Sequence, residues 1–196
     1  MKIKKISLLL VVLICCLFLC GCSEEKKESN VKTDITGTTT VKKTIVPDDF
    51  DMNGTGKLKC STEAAAGEGI DVDLNYEINY KKGNILNLKS IQKVISNDSA
   101  SLDLYETSYA NIAKGYKSLK YYDTNIVRDS NSVTYTIYID YDKIDVDGLL
   151  SIEGAEDNII KRGKAKLSLW LDLAGKMGTL CEEVLSSFFC LGSLIG

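Results

Sequence analysis

The chain of 196 residues has no histidine and a single proline, Pro47. Without histidine there is no Ser-His or Cys-His nucleophile pair, and the commonest general base and metal ligand is missing. What survives on paper is a Ser-Lys pair or two carboxylates. With 27 aspartates and glutamates, pairing any two of them from the sequence carries no information. A glycine-rich phosphate loop is also missing, since Gly67-Glu68-Gly69 is too short and leads into a strand rather than a helix. No internal repeat is visible. No apolar run reaches the roughly 20 residues that a membrane-spanning helix needs. The net charge is −3 and the charged residues are interspersed, which excludes nucleic acid as a partner because phosphate binding needs a basic patch.

What is present begins with a sorting signal. Lys2, Lys4 and Lys5 form a positive start, and residues 6–20 are apolar apart from Ser7. That is the plan of a secretory signal peptide. It ends in Leu19-Cys20-Gly21-Cys22, which reads as a lipobox. Small Gly21 beside the cut suits a signal peptidase, and residues 1–21 are expected to leave. Cys22 is then the lipidation site and carries a diacylglyceryl group on its sulfur. Each buried methylene contributes about 0.8 kcal/mol and a single chain binds only marginally, so two chains on one glycerol are what give stable attachment. The expected location is the extracytoplasmic side of the cell membrane. Losing three lysines moves the net charge from −3 to −6.

Residues 22–52 read as a flexible linker rich in Ser, Glu, Lys and Thr, with too few apolar residues to offset the entropy of ordering. Residues 53–182 read as one folded domain, long enough for a single core. Within it, Ile70, Val72, Leu74, Tyr76, Ile78 and Tyr80 alternate with polar residues, the period-two signature of a strand with one wet face. Gly83-Asn84 predicts a tight turn into a return strand over residues 85–95, and residues 56–62 predict a first strand. Residues 99–122 predict a helix whose stripe is Leu102, Tyr105, Tyr109, Ile112, Tyr116 and Leu119, capped by Asn97, Asp98 or Ser99. The stripe is expected to cover the Ile70–Tyr80 strand face. A second hairpin joins residues 124–128 to residues 132–141, and the chain turns helical after Asp147. Residues 166–180 predict a C-terminal helix, weakened by Gly175 and Gly178. Strict alternation around one long helix gives an α+β fold, an antiparallel hairpin sheet packed against that helix.

Tyrosines at helical spacing are read as core and rim rather than as a ligand box. The acidic run from Asp140 to Gly148 fits no calcium loop. Starting at Asp140, position 5 is Ile144 and position 12 is Ser151, where acids are required. It reads as a strand end followed by a helix cap.

The order of these pieces is itself informative. A lipobox and a Thr/Lys-rich linker precede Lys57-Leu58-Lys59-Cys60-Ser61. A Tyr-rich helix then carries Gly115-Tyr116-Lys117, and the second hairpin carries Tyr122-Asp123 and Ile139-Asp140-Tyr141. Over residues 54–182 this resembles the YehR-like family of small bacterial lipoproteins. The resemblance implies an extracytoplasmic location and an α+β fold with an antiparallel sheet. It supplies no catalytic residue.

Of the seven cysteines, Cys15, Cys16 and Cys20 leave with the signal peptide and Cys22 is lipidated. Cys60, Cys181 and Cys190 remain, with three pairings open in a compartment where disulfides form. Three cysteines with no CxxC pair and no histidine make no zinc site, and no cofactor is expected. Leu180, Cys181, Val184, Leu185 and Phe188 continue a helical stripe into an apolar tail, residues 183–196. On such a helix Cys181 and Cys190 point apart. That leaves Cys181 as a buried thiol or as the partner of Cys60, the pairing expected here. The expected function is a membrane-anchored, non-catalytic module that binds an envelope protein, a glycan or a small ligand. The alternative is an envelope hydrolase using carboxylates or a Ser-Lys pair on wall or glycan substrates.

Overall fold

The computed structural model describes residues 46, 47 and 49–184. The lipobox residues Leu19, Cys20, Gly21 and Cys22 lie outside the described residues, as do Cys190 and the tail beyond Val184.

Three strands, β1 (Thr55–Gly67), β2 (Ile70–Lys81) and β3 (Asn84–Ser96), form an antiparallel meander. Helix α1 (Ser99–Tyr116) follows, capped by Asp98, whose carboxylate accepts from the Ala100 and Ser101 amides. The hairpin of β4 (Tyr122–Arg128) and β5 (Ser132–Asp140) docks β5 onto β3. Then come α2 (Val146–Glu153), a two-stranded hairpin of β6 (Ile160–Lys161) and β7 (Lys164–Ala165), and α3 (Leu167–Lys176). The last strand, β8 (Leu180–Glu183), returns to pair with β1. The sheet order is β4-β5-β3-β2-β1-β8, so the first and last strands of the domain are neighbours. The class is α+β, as the alternation predicts.

The strand register explains the sheet's two faces. Leu58, Ile78, Leu88, Ile139 and Tyr122 stand in one cross-strand row on the inner face, all buried. Helix α1 lies over β3, β4 and β5. There Tyr109 stacks on Tyr135 at 4.8 Å and Tyr116 on Tyr122 at 4.3 Å. The inner face of β2 is buried as expected, but its aromatic partner is not the α1 stripe: Tyr76 meets the fully buried Trp170 of α3 edge-on at 5.2 Å. The sheet is too wide for one helix to cover. Helix α3 is fixed over the β2–β3 turn by the Leu167 amide donating to the Gly83 carbonyl and by Lys166 Nζ donating to Asn84 Oδ1 at 2.7 Å.

Several boundaries differ from expectation. The turn between β2 and β3 is Lys82-Gly83, both at positive φ, and Asn84 opens β3. Helix α1 stops at Tyr116 rather than at 122, and residues 117–121 turn, with Tyr121 at φ 66°, into β4. The largest correction is at the C-terminus. The helical spacing of Leu180, Cys181 and Val184 is not used: α3 ends at Lys176, Gly178 turns at φ 73°, and residues 180–183 form β8. The linker boundary at 53 cuts through packed structure, since Val46, Phe50 and Met52 lie against the core and Phe50 meets Tyr80 edge-on at 5.5 Å. Glu183 likewise belongs to β8 rather than to a tail, and the Val184 amide donates to the Lys57 carbonyl.

Candidate functional site

The expected disulfide is present. Register places Cys60 of β1 directly opposite Cys181 of β8, and their sulfurs are bonded at 2.10 Å. Two further contacts hold β8 in place. Thr62 Oγ1 donates to Thr179 Oγ1, and the Tyr80 hydroxyl donates to Glu183 Oε1 at 2.7 Å. Gly56 makes room for the second, because a Cβ there would meet the Tyr80 hydroxyl oxygen at 2.7 Å and Glu183 Oε1 at 2.8 Å.

The acidic run from Asp140 to Gly148 is taken up by local structure, as read from the sequence. Asp140 ends β5 and accepts from Lys143 Nζ at 2.8 Å. Asp142 faces Lys164 at 3.4 Å, and Asp145 caps α2 through the Gly148 amide at 3.1 Å. Among the described residues no three His, Cys, Asp or Glu side chains stand together as a metal site. The tyrosines of α1 are core residues: Tyr105, Tyr109 and Tyr116 are all buried.

One buried acid escaped the sequence reading. Glu153 closes α2 and is 9% exposed. Asn158 Nδ2 donates to its Oε2 at 2.8 Å. Burial raises its pKa from 4.5 to about 7, against the smaller lowering effect of the Asn158 bond. It also adds to burial in raising the tyrosines of Tyr116, Tyr122 and Tyr141. No sequence signal separates it from the other glutamates, because only the packing of α2 buries it.

The outer face of the sheet carries a broad row of polar side chains. Register lines up Glu182, Lys59, Glu77, Lys89, Tyr138 and Asp123 in one row across all six strands. Within it Lys57 donates to Glu77, and that hydrogen bond holds the Glu77 carboxyl below its ordinary pKa. A shallow depression of about 640 Å³ lies along the β8–β1–β2–β3 strip, lined by residues that include Lys59, Ser61, Asn75, Ile91 and Leu180. A second, of about 440 Å³, lies farther along β1 between Glu63, Ala65, Asp71, Asp73 and Ile95. Both are open surfaces of mixed polarity.

Geometry thus defines an α+β domain with a helix-covered inner face and a polar outer face that no helix covers among the described residues. Its fold is similar to the NMR structure of the Escherichia coli YehR protein, at 14% identity and a TM-score of 0.47, over 70% of this chain and 98% of that one. It is also similar to the NMR structure of a protein from Streptococcus pneumoniae TIGR4, at 13% identity and a TM-score of 0.42, over 84% and 100% of the two chains. No protein-family model matches the chain. No curated protein matches it.

Proposed function

We propose that this protein is a lipoprotein of the extracytoplasmic membrane surface, anchored through Cys22, whose folded domain is a non-catalytic binding module. The observation that carries the reading is the tetrad Leu19-Cys20-Gly21-Cys22 at the end of an uncharged apolar run behind three lysines. The Cys60–Cys181 bond supports the same compartment, since such bonds persist where the environment oxidises. The outer sheet face, uncovered among the described residues, supports a binding role as a broad polar surface on a rigid scaffold. A hydrolase would need carboxylates or a lysine poised beside a nucleophile. Among the described residues the acid that burial raises to about 7, Glu153, accepts from the Asn158 amide and lies near enough to Tyr116 to affect its ionisation.

Metabolic labelling tests the anchor. Cells fed an alkyne analogue of palmitate should label the wild-type protein, and Cys22→Ala should remain unlabelled and uncleaved. Equal labelling of both forms would remove Cys22 as the anchor.

A further inference from the structure

The partner of the binding module is addressed by an unfinished sheet edge. β8 pairs with only Leu58, Lys59, Cys60 and Ser61 of β1. β1 runs on to Gly67, paired with β2 on one side, and among the described residues no strand continues β8 on its other side from Glu63 onward. The Lys57 carbonyl accepts from Val184 across this edge. Backbone groups alternate sides every residue along an antiparallel strand, so Lys57, Lys59 and Ser61 face β8. By the same alternation Glu63 directs both N–H and C=O outward and Ala65 its N–H, up to the register shift between Ala65 and Gly67, with no strand among the described residues to receive them. Soluble proteins usually blunt such edges with lysine, proline or cover. Here a register shift between Ala65 and Gly67 ends the regular run, and before it Glu63, Ala64 and Ala65 are exposed, the two alanines carrying only small side chains.

The side chains beside this edge give it a sign. Glu63 stands directly opposite Asp73, and Asp71 follows two residues earlier on the same outer face. With Ala64, Ala65 and Ile95 they line the depression of about 440 Å³. Lys93 lies opposite Asp73 on β3, yet none of the three acids forms an ion pair within 4 Å among the described residues. Like charges directly across a sheet are unfavourable on their own and are relieved by a cation. A second copy of this chain would bring the same acids to the interface, so self-pairing is disfavoured.

We propose that the open half of β1 is a β-addition site for an extended, lysine- or arginine-bearing peptide segment of another protein. The segment would lie beyond β8, pair its backbone with Glu63 and Ala65, and set alternate basic side chains over Glu63, Asp71 and Asp73. Backbone bonds supply the affinity in this mode and alternate side chains supply the selection. The proposal rests on the reading of the domain as a binding module and is independent of the lipid anchor.

The test uses the full chain in non-ionic detergent, with hydrogen exchange at Glu63 and Ala65 followed on adding an alternating lysine–valine peptide. An alternating glutamate–valine peptide is the control. The basic peptide should slow exchange at these two amides roughly tenfold or more at saturation. Three exposed charge pairs should favour it over the acidic peptide by roughly tenfold in affinity. Ala65→Pro removes one outward N–H while sparing the β1–β2 bonds, and should abolish the protection. The double variant Asp71→Asn with Asp73→Asn should keep the fold and lose most of the preference for the basic peptide. Unchanged exchange, equal response to both peptides, or protection that rises with protein concentration alone would overturn the proposal. Any of these beside normal lipid labelling would leave the anchor standing and remove only this site.

Discussion

Glu153 is the residue at which the fold meets pH. In the unfolded chain its carboxyl ionises near 4.5, and in the folded protein near 7. Between these values the native state holds a proton that the unfolded state has released. Stability therefore falls as pH rises through that window and levels off above it. The shift corresponds to a loss on the order of 3 kcal/mol. Glu153→Gln keeps an oxygen for Asn158 and carries no charge, so it should raise the melting temperature at pH 8 and leave it nearly unchanged at pH 4. Thermal melts across pH 4–8 decide this, and a wild-type profile that rises from pH 4.5 to 7 would contradict it. Tyr80 makes the complementary point. Its hydroxyl holds Glu183 of the edge strand, and losing it by Tyr80→Phe should cost about 1–2 kcal/mol in denaturant titrations.

At the scale of elements, the alternation in β2 fixes its face. Leu74 points into the core and Asp73 out, beside Glu63. Leu74→Ala should cost about 2–5 kcal/mol, and Asp73→Ala should cost almost nothing because it removes a like-charge contact. Comparable losses at the two positions would contradict the assigned face. β8 is tied to β1 by one covalent bond beside its hydrogen bonds. Cys60–Cys181 closes a separation of 121 residues, for which chain entropy gives about 5 kcal/mol. Cys181→Ser should lower stability by about 2–5 kcal/mol and speed exchange at Lys59 and Ser61, the β1 residues that face β8.

These elements also show what the sequence makes legible. Period-two runs such as Ile70 to Tyr80 and Val133 to Ile139 are unambiguous, because a one-residue slip would expose every apolar side chain. The strands follow directly, while the cap, open among Asn97, Asp98 and Ser99 in the sequence, is settled by the Asp98 carboxylate accepting the Ala100 and Ser101 amides. Leu180, Cys181 and Val184 misled because three residues satisfy a helical and an extended reading alike, and Gly178 was the stop signal that separates the two. Residues 160–165 gave nothing to read, since two-residue strands carry no period and Arg162-Gly163 is the only mark of their turn. The pairing of Trp170 with Tyr76 is a tertiary fact. Which helix covers which strands depends on sheet width and strand order, and neither is written locally.

On the scale of the whole molecule, the proposed lipid anchor at Cys22 would hold the folded domain so that it presents a surface outside the membrane. The domain begins earlier than composition implies, because Val46, Phe50 and Met52 pack on it, and its last strand closes against its first. The intact mass of the protein extracted from its own membrane tests this account most directly. The account predicts a chain beginning at Cys22 that carries a diacylglyceryl group and rises by two hydrogens on reduction of the Cys60–Cys181 bond. A membrane-extracted species at the 21.5 kDa of the full unmodified chain would contradict it.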